Sequence, residues 1–87
     1  PEEYYSEKIS SEILLGDYES AAQYCNLFKA KFPGSEKPYI SCLKLNYKLK
    51  DSQEFEKLLS EIQNKNLAVS GELAVITSYW EREKVCL

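Results

Sequence analysis

Laid over itself with an offset of 34 residues, the chain matches turn to turn and apolar stripe to apolar stripe. An internal period of this kind limits the available folds more than any single segment does. Asp17 falls on Asp51, Leu15 on Leu49, Tyr5 on Tyr39 and Ile9 on Leu43. Ala21 falls on Phe55, Tyr24 and Cys25 on Leu58 and Leu59, and Phe28 on Ile62. A second offset carries Tyr39 onto Leu73 and Cys42 onto Ile76. Within each unit the apolar residues recur every three or four positions, which places them on one side of a helix. The rows are Tyr5, Ile9 and Ile13 with Leu14 beside them; Tyr18, Ala21, Cys25, Phe28 and Phe32; Tyr39, Ile40, Leu43 and Tyr47; Phe55, Leu58, Leu59 and Ile62; and Leu73, Ile76, Tyr79 and Trp80. These rows predict an all-α chain of five helices, over residues 3–15, 18–32, 38–49, 53–64 and 71–84. Trp80 continues the last row and is expected in the core.

The breaks between rows carry the residues that stop and start helices. Gly16 suits the left-handed residue that closes a helix. Asp17 can then cap the next, its carboxylate accepting free amide hydrogens at the positive helix end. Pro33 ends the second helix, Ser35 is the expected cap of the third, and Pro38 fits its first turn. Asp51, with Glu54 three residues on, has the spacing of a capping box. Ser70 with Glu72 is expected to start the fifth helix.

A 34-residue unit of two helices has the length of a tetratricopeptide repeat, and "LLGDYESAAQYCNLFKAKFP" resembles the second half of one. Gly16, Asp17, Tyr18, Ala21 and Pro33 occupy the places where that family has its inter-helix turn, its small residue and its closing proline. The second unit keeps Asp51 but has Lys50 for the glycine, Phe55 for the small residue and Leu67 for the proline. Ile9 and Leu43 stand where the first helices of the family have a small residue, and the early Trp is missing. The resemblance implies one domain over residues 1–87, a right-handed superhelical stack of antiparallel helix pairs. Hairpins over 2–32 and 36–66 are followed by a capping helix, or the start of a third repeat, over 69–85.

Composition narrows the function by exclusion. There is no His, the commonest general base and metal ligand. No phosphate loop, zinc-protease or calcium-loop motif appears, and the carboxylates read as solvated surface. No catalysis, cofactor or metal is therefore expected. A net charge of −3 disfavours nucleic acid, and the apolar runs are too short for membrane insertion. The chain starts with Pro and has no Met, which predicts a segment of a longer protein. Cys25, Cys42 and Cys86 are odd in number and form no C-x-x-C pair. They read as reduced thiols acting as small hydrophobes in a cytoplasmic setting, with a bridge as the alternative.

Charge is uneven along the chain. The third helix region carries Lys37, Lys44, Lys48 and Lys50 and no acid, while the first carries Glu2, Glu3, Glu7 and Glu12 against Lys8. In the tetratricopeptide family the first helix of each unit lines a groove for partner peptides. The resemblance then implies a partner-binding row of Lys37, Ile40, Lys44, Tyr47 and Lys48, facing Ala74, Ser78, Glu81 and Arg82 of the fifth helix. Lysines beside Tyr47 suit an acidic protein or peptide. Tyr4 and Tyr24, off the main rows, are further contact candidates. The expected function is a non-catalytic protein-interaction module. The alternatives are a structural or self-association domain appended to an enzyme, which would make the chain a homodimer, and a chaperone-like binder of a helical client.

Overall fold

The computed structural model describes residues 2–65 and 71–86, with the backbone alone for 84–86. Five helices lie within them: α1 (Glu2–Leu15), α2 (Tyr18–Lys31), α3 (Lys37–Leu49), α4 (Ser52–Asn64) and α5 (Gly71–Cys86). The expected Ser70 cap and the Leu67 position lie outside the described residues.

The α1–α2 and α3–α4 turns are built alike, 34 residues apart. After α1 the amide of Asp17 donates to the carbonyl of Glu12 (2.9 Å) and that of Gly16 to Ile13 (3.1 Å). After α3 the amide of Asp51 donates to Asn46 (3.0 Å) and that of Lys50 to Tyr47 (3.1 Å). This paired closure needs a left-handed residue at its centre, and Gly16 (φ 81°) and Lys50 (φ 57°) take that conformation. Each following aspartate caps the next helix: Asp17 Oδ1 accepts from the Ser20 amide and Asp51 Oδ1 from the Glu54 amide, both at 3.2 Å.

Only glycine takes a left-handed conformation without steric cost. Lys50→Gly is therefore expected to stabilise the fold by about 0.5–1 kcal/mol, net of a weak surface ion pair. Gly16→Ala is expected to destabilise it by about 1 kcal/mol. Urea midpoints of the two variants should move in opposite directions; a loss in Lys50→Gly would contradict the account.

Asp17 also accepts the Ser20 hydroxyl at 3.0 Å. The amide bond, then the hydroxyl bond, holds its carboxyl below the usual 3.8. A depressed folded value means stability that is present above the unfolded value and lost as pH falls through the folded one. The stability gap between wild type and Asp17→Ala should thus be constant near neutrality and narrow below about pH 4. A gap that widens in acid would refute this.

α3 is the central helix, packed against the other four, while α1 and α2 also pack on each other. Its position explains why burial exceeds the predicted stripe. Ser41, Cys42, Leu45 and Asn46 are buried along with Tyr39, Ile40 and Leu43, because neighbours lie on several sides. In the first hairpin Tyr5 stacks on Phe28 (centroids 5.3 Å apart) and meets Phe32 edge-on, over Ile9, Ala21 and Cys25. In the second, Phe55 is fully buried. Trp80 of α5 lies on it with centroids 4.3 Å apart and planes 19° apart, in the core as expected.

The structure revises several expectations. Leu14, read beside the α1 stripe, is 88% exposed and Tyr79 50% exposed, because no helix covers those sides of α1 and α5. Glu12, read as surface, is buried and bound to Lys8 at 3.0 Å; that bond holds the Lys8 ammonium above its ordinary value. Ser35 does accept an amide hydrogen, from Lys37 at 3.2 Å, but the cap position is Glu36, and the Ser35 hydroxyl also donates to Glu2. The main correction is at the cysteines. Cys25 and Cys42 form a disulfide between α2 and α3, with Cα atoms 5.6 Å apart, well inside the range for a bridge. Both stay buried, so the small-hydrophobe reading holds while the reduced-thiol reading does not. The cytoplasmic expectation loses the argument it rested on.

Candidate functional site: the face of α1, α3 and α5

Two lysines of α3, Lys37 and Lys44, and Lys50 in the turn after it are placed opposite acids of the two flanking helices. Lys37 Nζ lies 3.8 Å from Glu3 of α1, Lys44 Nζ 2.7 Å from Glu72 of α5, and Lys50 Nζ 3.8 Å from Glu83 of α5. Part of the basic character of α3 is thus complementarity within the fold. Each pair is solvent-exposed and contributes at most about 1 kcal/mol, so their role is to choose neighbours more than to supply stability. Lys48 is exposed and lines no hollow of this face.

The Lys44–Glu72 pair divides the face into two hollows of different chemistry. On one side lies a polar hollow of about 290 Å³. Glu3 and Glu7 of α1 form one wall, Lys37 and Lys44 of α3 the other, Ile40 and Ser41 are on its floor, and Glu72 closes it. On the other side lies an apolar hollow of about 340 Å³, walled by Tyr47 of α3 and Val75, Ile76 and Tyr79 of α5. Val75 and Tyr79 are half exposed, at 53% and 50%.

Tyr47 is fixed in place by its hydroxyl, which donates to Glu83 Oε1 at 2.8 Å. The bond to that carboxylate, together with burial, raises the phenol above its ordinary 10.0, so Tyr47 is a protonated donor across the neutral range. Its ring packs edge-on against Trp80, with centroids 6.3 Å apart. The hollow therefore rests on the core. At its outer edge the Arg82 guanidinium lies 5.1 Å from the Tyr79 ring centre, a cation–π distance.

The predicted partner-binding residues are brought together only in part. Lys37, Ile40 and Lys44 share the polar hollow, and Lys44 and Tyr47 border the apolar one. Ser78 and Arg82 lie beyond Tyr79, on the outer side of α5. Ala74 and Glu81 line a different cleft, toward α4. Ile40 is buried and offers the floor of the hollow more than a free side chain. Of the tyrosines proposed for contact, Tyr4 is 55% exposed, while Tyr24 is half-buried with Lys8 Nζ 5.5 Å from its ring centre. Sequence reading missed Glu72, Val75, Ile76 and Tyr79 as site residues. Val75 and Tyr79 sit four residues apart, one step around the helix from the buried Ile76 and Trp80. That spacing was legible, but whether such a pair faces a neighbour or solvent was not.

Among the described residues no group of His, Cys, Asp and Glu is placed to hold a metal ion, and no helix is long and apolar enough to cross a membrane. Compared with known proteins, the chain matches no family model, no curated protein and no solved structure.

Proposed function

We propose that this chain is a tetratricopeptide-like helical module. It binds a protein or peptide partner through the face of α1, α3 and α5 and carries out no catalysis of its own. The repeat reading is supported by the two equivalent turns, which share backbone bonds and capping at a 34-residue spacing. The binding reading is carried by one observation: Val75 and Tyr79 stand exposed around an apolar hollow whose other wall, Tyr47, is held in position by Glu83. A rigid apolar recess beside fixed charges is where an interface concentrates its affinity. The partner segment places an apolar or aromatic anchor in this hollow. An acidic side chain beside the anchor replaces Glu72 at Lys44.

Selection of displayed random peptides against the folded protein tests this. Recovered sequences should share an aromatic or aliphatic anchor next to Asp or Glu. Their affinity should fall at least tenfold, about 1.4 kcal/mol, in Val75→Asp and in Lys44→Glu. Peptides that bind Val75→Asp as well as wild type would sink the proposal. Leu14 and Leu15, 88% and 79% exposed, favour self-association as the second reading. Sedimentation over a hundredfold concentration range separates the two, since a partner-binding monomer shows no concentration dependence.

A further inference from the structure

The polar hollow of the α1–α3–α5 face has a chemistry of its own. Three carboxylates line it, those of Glu3, Glu7 and Glu72, against the two ammonium groups of Lys37 and Lys44. Lys37 is engaged by Glu3 and Lys44 by Glu72, while Glu7 has no ion pair among the described residues. Ser41 also lines the hollow and is only 7% exposed. Its hydroxyl has no hydrogen-bond partner among the described residues. No fully covered side-chain oxygen among them lacks a partner, so the Ser41 oxygen opens into the hollow. A hydroxyl buried in this way calls for a partner, and it can accept a hydrogen bond as well as donate one.

When an acid of the partner replaces Glu72 at Lys44, Glu72 loses its cation. Glu72 lines the same hollow as Glu7, so two carboxylates there are then left without a cation. Covering them with a partner that brings no positive charge is costly. We propose, resting on the binding reading above, that the polar hollow takes a Lys or Arg side chain of the partner, set beside the acid that engages Lys44. The partner thus presents an apolar anchor, an acid and a base in that order along the face. Its acid and base trade places with the Lys44–Glu72 pair, and no charge is left alone. The hollow suits such a side chain along its whole length. Ile40 gives the methylene stem an apolar floor. The head group only donates hydrogen bonds, and the carboxylates of Glu7 and Glu72 and the Ser41 oxygen accept them. A second acid at this place would face both carboxylates and is rejected.

The probes are displayed random peptides selected against the folded protein. Those with an anchor next to Asp or Glu should also carry Lys or Arg, on the far side of the acid from the anchor. One such peptide is then synthesised with Lys, Gln or Glu at that position. The Lys form should bind about fivefold more tightly than the Gln form, a coupling of about 1 kcal/mol, and the Glu form should bind most weakly. Glu7→Lys should abolish the advantage of Lys over Gln. Lys and Gln forms are compared within each protein, so a general loss of affinity cancels. Glu7 is exposed, and far-UV circular dichroism confirms that the variant is folded. Selection of anchor and acid without a base overturns this inference and leaves the binding reading standing. So does a Lys advantage that persists in full in Glu7→Lys. Selected peptides that share neither anchor nor acid overturn both.

Discussion

Phe55→Ala is expected to destabilise the protein by about 3–5 kcal/mol, the range for removing a fully buried aromatic ring. A chain of 87 residues has a total stability of only about 4–13 kcal/mol by the usual per-residue values, so the variant should sit at or beyond the edge of folding. The effect is large because Phe55 joins two interfaces. It is fully buried in α4, and its face carries Trp80 of α5 at 4.3 Å. Without the ring, α5 keeps its packing on α3, where Tyr47 meets Trp80 edge-on, and its polar links through Glu72 and Glu83, which are weak in water. Trp80 is the chain's one tryptophan, so its emission reports directly on α5. Denaturant titration of Phe55→Ala should show a red-shifted emission at low denaturant, with Phe55→Leu losing less than half as much stability. A cost below 1 kcal/mol in Phe55→Ala would show that α5 is not anchored there.

The second large effect is expected from the Cys25–Cys42 bridge. It closes a loop with a sequence separation of 17, and in the chain-entropy account such a loop is worth about 3 kcal/mol. In a domain of this size that corresponds to a Tm shift of about 12–24 °C. Cys25→Ala/Cys42→Ala should melt lower by that amount, and a reductant should bring the wild type to a similar Tm. Alkylation of unreduced, denatured protein checks the premise. One of the three cysteines should react, and three labels per chain would remove the basis of the prediction. The bridge ties α2 to the central helix at the floor of the hollow between α2 and α4, so its loss should loosen the first hairpin against α3 before it affects α5.

Much of this fold could be read along the chain, because helix boundaries are local events. Gly16, Asp17 and Asp51 act through hydrogen bonds to residues no more than five positions away, so their roles are visible in the string of residues. The helical stripes are equally local, and Ile9, Phe28, Leu43, Phe55, Ile62, Leu73 and Trp80 are all buried where the period placed them. Lys50 reads along the chain only as a departure from the pattern, and its backbone conformation comes from the structure. It stands where the first unit has Gly16, and it adopts the left-handed conformation that position requires.

Pairing across helices was not legible. Four lysines on one helix and its closing turn look like a docking surface until α1 and α5 bring Glu3, Glu72 and Glu83 against three of them. Tyr79 shares a stripe with Trp80, yet a helix has only one neighbour to bury against at a given edge, and α5 turns Trp80 toward Phe55 and leaves Tyr79 outside. Cys25 and Cys42 carry no spacing motif, and their contact arises because α2 packs along α3. Helix positions, caps and core stripes thus follow from residue order, since their interactions close within a few bonds or one turn. Which charges neutralise each other, which thiols meet and which apolar surfaces stay open depend on how the helices pack, and that is set by the sum of many weak contacts between residues far apart in the chain.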